Sequence, residues 1–302
     1  MPGARPLPNQ LTGRPFSVRE ALAAGMTPKQ LRAATMERPF RGVRSVGLDL
    51  SKLQARCQGY AARMPRAQLF SHVTAARLMD LPLPLTLGRR RELDVAAAVP
   101  ARAPQVDGII GHQFSPQGGG ARTHRGVRIT SPELTWIALA TVLDLDDLVA
   151  VGDALVTGDH AWTSIDALAK AIVPGVRGAR VLRTALGLIR PGALSRPETH
   201  LRLAILRAGY PEPTVAYGVR LSRSGRLLHP DLSWPQYRVA FEYEGDQHRT
   251  DRWQFRHDID RVESLVDDGW TVSRFTADDV YLRLARTMTR VDLRLRAHGW
   301  SR

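Results

Sequence analysis

A single cysteine, three lysines and no long apolar run set the first limits on this sequence of 302 residues. With Cys57 alone, neither an intramolecular disulfide nor a cysteine-based zinc cluster can form, and the expected compartment is the cytoplasm. No stretch approaches the roughly 20 apolar residues that span a bilayer. The opening Met-Pro-Gly-Ala-Arg-Pro-Leu-Pro lacks the apolar core of a secretory signal, so no membrane partner is expected. Because Lys29, Lys52 and Lys170 are the only lysines, arginine carries nearly all of the positive charge, as a GC-rich coding bias would produce. Such a bias explains arginine over lysine. It does not explain 43 basic against 29 acidic residues, a formal charge of +14. An excess of that size points to an anionic partner, with DNA the first candidate, because cations that meet phosphates release condensed counterions.

The hydrophobic fraction, 43%, is enough for real cores, and the length allows two or three domains. The expected class is α/β, in an α+β multidomain arrangement. Residues 1–15, rich in Pro, Gly and Arg, read as a disordered leader. Ser17 can cap a helix through Ala24, Gly25 can end it, and Thr27-Pro28 can open a second helix reaching Met36. Phe40 to Gly47 alternates as a strand could, with Gly42 and Gly47 as turn points, so residues 16–60 read as a helix-turn-helix with a small wing.

The run Ser17-Val-Arg-Glu20-Ala21-Leu-Ala-Ala-Gly25 resembles the N-terminal winged helix of AbiEi-family antitoxins over about thirty residues. That resemblance implies DNA binding, with Lys29 and Arg32 on the groove-entering helix and Arg41 and Arg44 on the wing. Residues 1–60 hold ten Lys and Arg against three Asp and Glu, as the reading requires. A helix pair docked on the next domain is the alternative. A toxin partner and self-association both stay open.

A mixed middle domain, 61–190, is expected to open with a capped helix at Ser71-His-Val-Thr-Ala-Ala-Arg-Leu-Met and a strand at Glu92 to Val99. Ser131-Pro132-Glu133 then starts one helix and Leu145 to Val156 forms another. His112, His124 and His160 read as surface residues, and Asp144, Asp146 and Asp147 as acids serving a helix dipole. This segment resembles the central region of AbiEi-like proteins and offers no site.

Chemistry concentrates in 195–302. Ser195-Arg-Pro197-Glu198 is a capping box opening a helix that ends at Gly209, and three strands follow near 214–221, 228–233 and 237–244. Within the last, Ala240, Glu242 and Glu244 share one face, opposite Val239, Phe241 and Tyr243, and Asp231 sits on the neighbouring strand. Carboxylates gathered this way suit a hard divalent cation, and His248 nearby can polarise a water or a leaving group. A solvated strand face is the plain alternative. A helix with Phe255, Ile259, Val262 and Val266 on one face and the strand Trp270 to Phe275 complete an αβββαβ order.

This order, with Asp231…Glu242-Tyr-Glu244-Gly245-Asp-Gln-His248 and then Asp258-x-x-Arg261-x-x-x-Leu265-x-x-x-Gly269-Trp270-x-Val272-x-Arg274-Phe275, resembles the PD-(D/E)xK nucleases. More closely it resembles the domain-of-unknown-function 559 family, relatives of very-short-patch-repair endonucleases, over roughly 195–285. The resemblance implies a restriction-endonuclease-like fold in which Asp231 and Glu242 bind Mg²⁺ or Mn²⁺ and His248 acts as general acid or base. Glu244 falls where the superfamily places a lysine, so His248 or Arg274 would have to supply the missing cation. From its helical face, shared with Leu201, Arg202 and Ile205, Glu198 reads first as a cap alone and second as a support for a metal-bound water, and Asp258 and Arg261 would pair across the helix and sheet. Two functions follow from these expectations: a Mg²⁺-dependent DNA endonuclease, or an antitoxin-like repressor carrying an inactive nuclease fold. A pure protein-interaction role fits the charge less well.

Overall fold

The computed structural model describes residues 7–115, 120–245 and 252–301, with side chains omitted for 252–259. The chain is mixed α/β and divides into two compact units, one formed by Met1–Thr141 with Lys170–Val176, the other by Val142–Ala169 with Arg177–Arg302. No helix among the described residues is long and apolar enough to cross a membrane.

In the first unit, β1 (Phe16–Ser17) leads into α1 (Val18–Ala23), and the Ser17 hydroxyl accepts the Glu20 N–H at 3.1 Å as the expected cap. The second helix expected from Thr27 to Met36 is instead a 3₁₀ turn, Gln30–Arg32. Its apolar residues explain the difference. Met26, Leu31 and Met36 recur every five residues, which cannot keep one helical face against a core, and Leu31 alone is anchored within the turn. Within the strand expected over Phe40–Gly47, Val43–Arg44 forms β2, which pairs antiparallel with β1. Part of the expected leader is ordered. Asn9–Leu11 forms a 3₁₀ turn whose Leu11 is fully buried beside Phe16 and Ala21, because a leucine near a small apolar cluster gains more from burial than proline-rich chain entropy opposes.

After α2 (Leu53–Ala61), the unit builds a five-stranded sheet from β3 (Gln68–Phe70), β4 (Leu93–Ala98), β5 (Ile109–Phe114), β6 (Ala121–His124) and β7 (Val127–Thr130), in the order β5-β4-β3-β7-β6. Helices α3 (His72–Leu78), α4 (Leu85–Gly88) and α5 (Pro132–Leu139) accompany it, α3 and α5 starting where Ser71 and Ser131 suggested. His112 is not a surface residue. Its ring stacks on His72 with centroids 3.6 Å apart, and its Nε2 lies 2.9 Å from Asp94, which is buried and also bound by Arg90. Burial and the neighbouring His112 push the His72 imidazole down to about 4. His124 bonds the Leu78 carbonyl at 2.9 Å, while His160 is exposed.

The second unit opens with α6 (Leu145–Leu155), capped by Asp144 through the Asp147 N–H at 2.9 Å. The short α7 (Ile165–Ala171) lies across the division between units, and α8 (Ala179–Leu188) precedes α9 (Arg196–Arg207). Although α6 and α8 lie in the segment read as the middle domain, α6 packs against α8 and α9 in this unit. A fully buried pair fixes α6 to α9: Asp153 accepts from Arg202 at 2.8 Å and from Thr199 at 2.8 Å. Asp147 is more than a dipole acid, since it is buried and holds Arg196 and His200 of α9.

Beyond α9, the expected first strand splits. β8 (Thr214–Val215) joins the main sheet, Ala216 takes a left-handed conformation with φ of 48°, and β9 (Val219–Arg220) leaves to pair with β10 (Leu227–Leu228). β11 (Leu232–Trp234) and β12 (Val239–Tyr243) run antiparallel, and after α10 (Arg252–Asp267) comes β13 (Thr271–Phe275), parallel to β12, giving the order β13-β12-β11-β8. Two further helices, α11 (Ala277–Tyr281) and α12 (Leu284–Ala297), follow the expected order. One sheet face, with Leu232, Trp234, Val239 and Phe241, packs on α9 and α12; Ala240 on the other packs with Leu265, Trp270 and the β9–β10 ribbon. Val266, expected on the buried face of α10, is 53% exposed, and its neighbour Leu265 is the anchor.

Candidate functional site

Three carboxylates converge where β11, β12 and α9 meet. Leu232 pairs with Phe241, so one register step further brings Asp231 opposite Glu242, and Glu242 in turn pairs with Arg274 on β13. An acid, an acid and a base thus lie in one row across three strands. Asp231 accepts the Tyr243 N–H at 2.7 Å, which ties the end of β12 to the start of β11. Glu242 continues the column of Ala240 toward α10 and pairs there with Arg261 at 3.1 Å. The same guanidinium donates to the His229 carbonyl, two residues before Asp231.

Glu198 enters from α9. The Ser195 hydroxyl accepts its N–H at 3.4 Å, and its own carboxylate accepts the Leu194 N–H at 3.3 Å, so the capping reading holds. Capping is only part of its environment. Burial and then the negative charge of Asp231 push the Glu198 carboxyl up to about 7. The Asp231 charge thus acts on Glu198 across the gap between β11 and α9.

Glu244 lies just past β12, half-buried, with its N–H donated to the Phe275 carbonyl at 2.7 Å. His248 and the Asp258 side chain lie outside the described residues. Arg261 pairs with Glu242, a partner that sequence reasoning did not give. A usable signal existed: Arg261 stands four residues before the buried Leu265, which puts it on the sheet-facing side of α10.

Of the four cations expected to meet DNA, Lys29, Arg32 and Arg41 are exposed. Arg44 is committed elsewhere. It donates to the Leu31 and Val43 carbonyls, both at 2.8 Å, and so clamps the 3₁₀ turn to β2. No helix carries Lys29 and Arg32 into position for a groove in the way a recognition helix would, since Gln30–Arg32 is a single turn.

Among the described residues, no group of three or more His, Cys, Asp or Glu is arranged to hold a metal ion. A site here rests on fewer protein ligands. Mg²⁺ keeps several waters and is often held by one or two carboxylates, so the in-register Asp231 and Glu242 fit it, and the repulsion between Asp231 and Glu198 is what a cation would relieve.

No family model matches the chain, and no solved structure matches it. It is similar to uncharacterized proteins from two strains of Mycobacterium tuberculosis, one of them CDC 1551 / Oshkosh, each 29% identical over 174 residues. The match takes in 57% of this chain and 64% of each relative, so the chain spans less than two thirds of their length.

Proposed function

We propose that the second unit is an endonuclease-like module acting on DNA phosphodiesters, with Asp231, Glu242 and Glu198 as its acidic centre. The observation that carries this reading is the convergence of Asp231 and Glu242 across β11 and β12 with Glu198 brought up from α9. In contrast to charges scattered on a solvated strand, one of these acids is driven toward neutrality, a perturbation that clusters at functional sites. Asp231 and Glu242 would hold Mg²⁺ or Mn²⁺, which when bound supplies charge neutralisation at the phosphate and a more acidic water.

Glu198 would orient the attacking water through its carboxylate. The water adds to phosphorus, the bond to the leaving oxygen breaks, and that oxygen takes up a proton. Arg261 answers the missing lysine. Its guanidinium lies on Glu242, close to where the scissile phosphate would bind, and is a better candidate for the transition-state cation than Arg274 or His248. The exposed Lys29, Arg32 and Arg41 of the first unit would add phosphate contacts.

One observation favours the second reading, an antitoxin-like repressor with an inactive nuclease fold: Arg261 already neutralises Glu242. Purified protein assayed with Mg²⁺ or Mn²⁺ on duplex, mismatched and single-stranded DNA separates the two. Cleavage lost in both Asp231→Ala and Glu242→Ala, with the fold retained, supports hydrolysis. Absence of cleavage by the wild type on all three substrates removes the enzyme and leaves the repressor.

A further inference from the structure

The β9–β10 ribbon is a basic element of the second unit whose own residues include no acid. Residues 217–229 contain Arg220, Arg223 and Arg226 and no Asp or Glu. Several arginines elsewhere in the unit are paired with acids: Arg190 with Glu212, Arg202 with Asp153, Arg207 with Asp146 and Arg290 with Asp279. Among the described residues, none of the three ribbon arginines forms a close ion pair, Asp268 is the one acid within electrostatic reach of Arg223, and all three arginines are exposed.

The ribbon is also built to hold its shape. Val219 pairs with Leu228, and both are buried with Leu221 against Ala240, Leu265 and Trp270, so one face is anchored and Arg220 lies on the other. At the tip, Leu221 accepts the Gly225 N–H and donates to the Arg226 carbonyl, each at 2.9 Å, while Asp268 at the end of α10 takes the Ser222 N–H at 2.7 Å. Arg220 donates to the Gly225 carbonyl at 2.9 Å, which fixes the direction of its stem. A cationic surface held this firmly loses little entropy on meeting a ligand. The strand out of the ribbon runs through His229, held by Arg261, to Asp231 two residues on. Anything lying along the ribbon therefore continues into the acidic centre.

We propose that this ribbon is a docking surface for the phosphodiester backbone of duplex DNA, with Arg220, Arg223 and Arg226 as its phosphate contacts. The proposal rests on the nucleic-acid reading of the acidic centre and deepens it. A two-stranded ribbon has the width that a DNA major groove admits, and planar guanidinium groups suit phosphate oxygens. The surface requires binding only, and stands whether or not the centre hydrolyses.

The test measures equilibrium binding of a 20-base-pair fluorescent duplex to the full chain in EDTA, across a salt series. The variants are Arg220→Gln/Arg223→Gln/Arg226→Gln and, for equal loss of charge elsewhere in the unit, Arg177→Gln/Arg180→Gln/Arg183→Gln. The ribbon variant should bind at least about tenfold more weakly at 0.1 M salt, and its log–log salt slope should be smaller by about 2 to 3, close to 0.9 per lost phosphate contact. The control should change affinity by less than about threefold, and a ribbon triple Arg→Lys variant should keep most of the wild-type salt slope because each lysine retains the charge. Equal losses in the two glutamine variants, or an unchanged slope in the ribbon variant with wild-type melting temperature, overturn the proposal. So does polyglutamate that competes as well as unlabelled duplex, since that marks a site for acidic protein. Because cleavage is not read in this experiment, loss of the hydrolytic reading leaves its outcome untouched.

Discussion

Replacing Glu198 by glutamine removes one acid from the centre without changing its size, and the response to pH reports whether Asp231 acts on it. In the folded unit the Glu198 carboxyl is raised to about 7 from an ordinary value of 4.5. Between those values the native state keeps a proton that the unfolded chain gives up, so stability falls as pH rises. The contribution is fully present below 4.5 and is lost on passing through 7. Each pH step within that window costs up to 1.4 kcal/mol, which puts the whole loss at about 3 kcal/mol for this partly buried group. Urea unfolding of the full chain from pH 5 to 8.5, followed by tryptophan fluorescence, should therefore show the wild type weakening more steeply than Glu198→Gln. Asp231→Asn should behave in between, because the amide oxygen can still accept the Tyr243 N–H while the repelling charge is gone. Coincident pH profiles for the wild type and Glu198→Gln would refute the electrostatic reasoning.

The His72 imidazole, held down near 4, has the opposite dependence: its contribution is present above about 6.5 and is lost as pH falls toward 4, so His72→Gln should flatten acid destabilisation that reaches about 3 kcal/mol in wild type, read by urea unfolding. Asp153→Ala leaves Arg202 charged in a fully buried site and should cost about 3–5 kcal/mol, whereas the paired Asp153→Leu/Arg202→Met variant should recover most of that in thermal melts. Arg44→Ala should lower stability by about 1–2 kcal/mol through two lost carbonyl contacts and leave the salt dependence of DNA binding unchanged, while Lys29→Ala/Arg32→Ala should reduce that slope by about 0.9 per lost contact.

Local chemistry was legible in the letters of the chain. Ser17, Ser131 and Ser195 cap the helices they were expected to open, because a side-chain oxygen meeting a free N–H three residues on is a property of the nearby sequence, whereas the Ser71 side chain makes no such cap on α3. The alternation of Val239 to Glu242 likewise set the two faces of β12 in advance. The placing of Asp231 beside Glu242 needed only adjacent strands in an antiparallel register.

What the sequence could not decide is what distant groups do to one another. Arg261 reaches Glu242 only because α10 packs over that face of the sheet, and the rise of Glu198 depends first on its burial and then on Asp231, 33 positions away. His112 reads as a surface histidine until β5 lies beside β4 and stacks it on His72. The loss of the second N-terminal helix is of the same kind: Thr27-Pro28 is a sound start signal, but Met26, Leu31 and Met36 all pack in one cluster, and a five-residue spacing cannot bring them there on a single helical face. Caps and strand faces are fixed by neighbours a few residues apart; burial and charge are fixed by whichever elements the fold brings together.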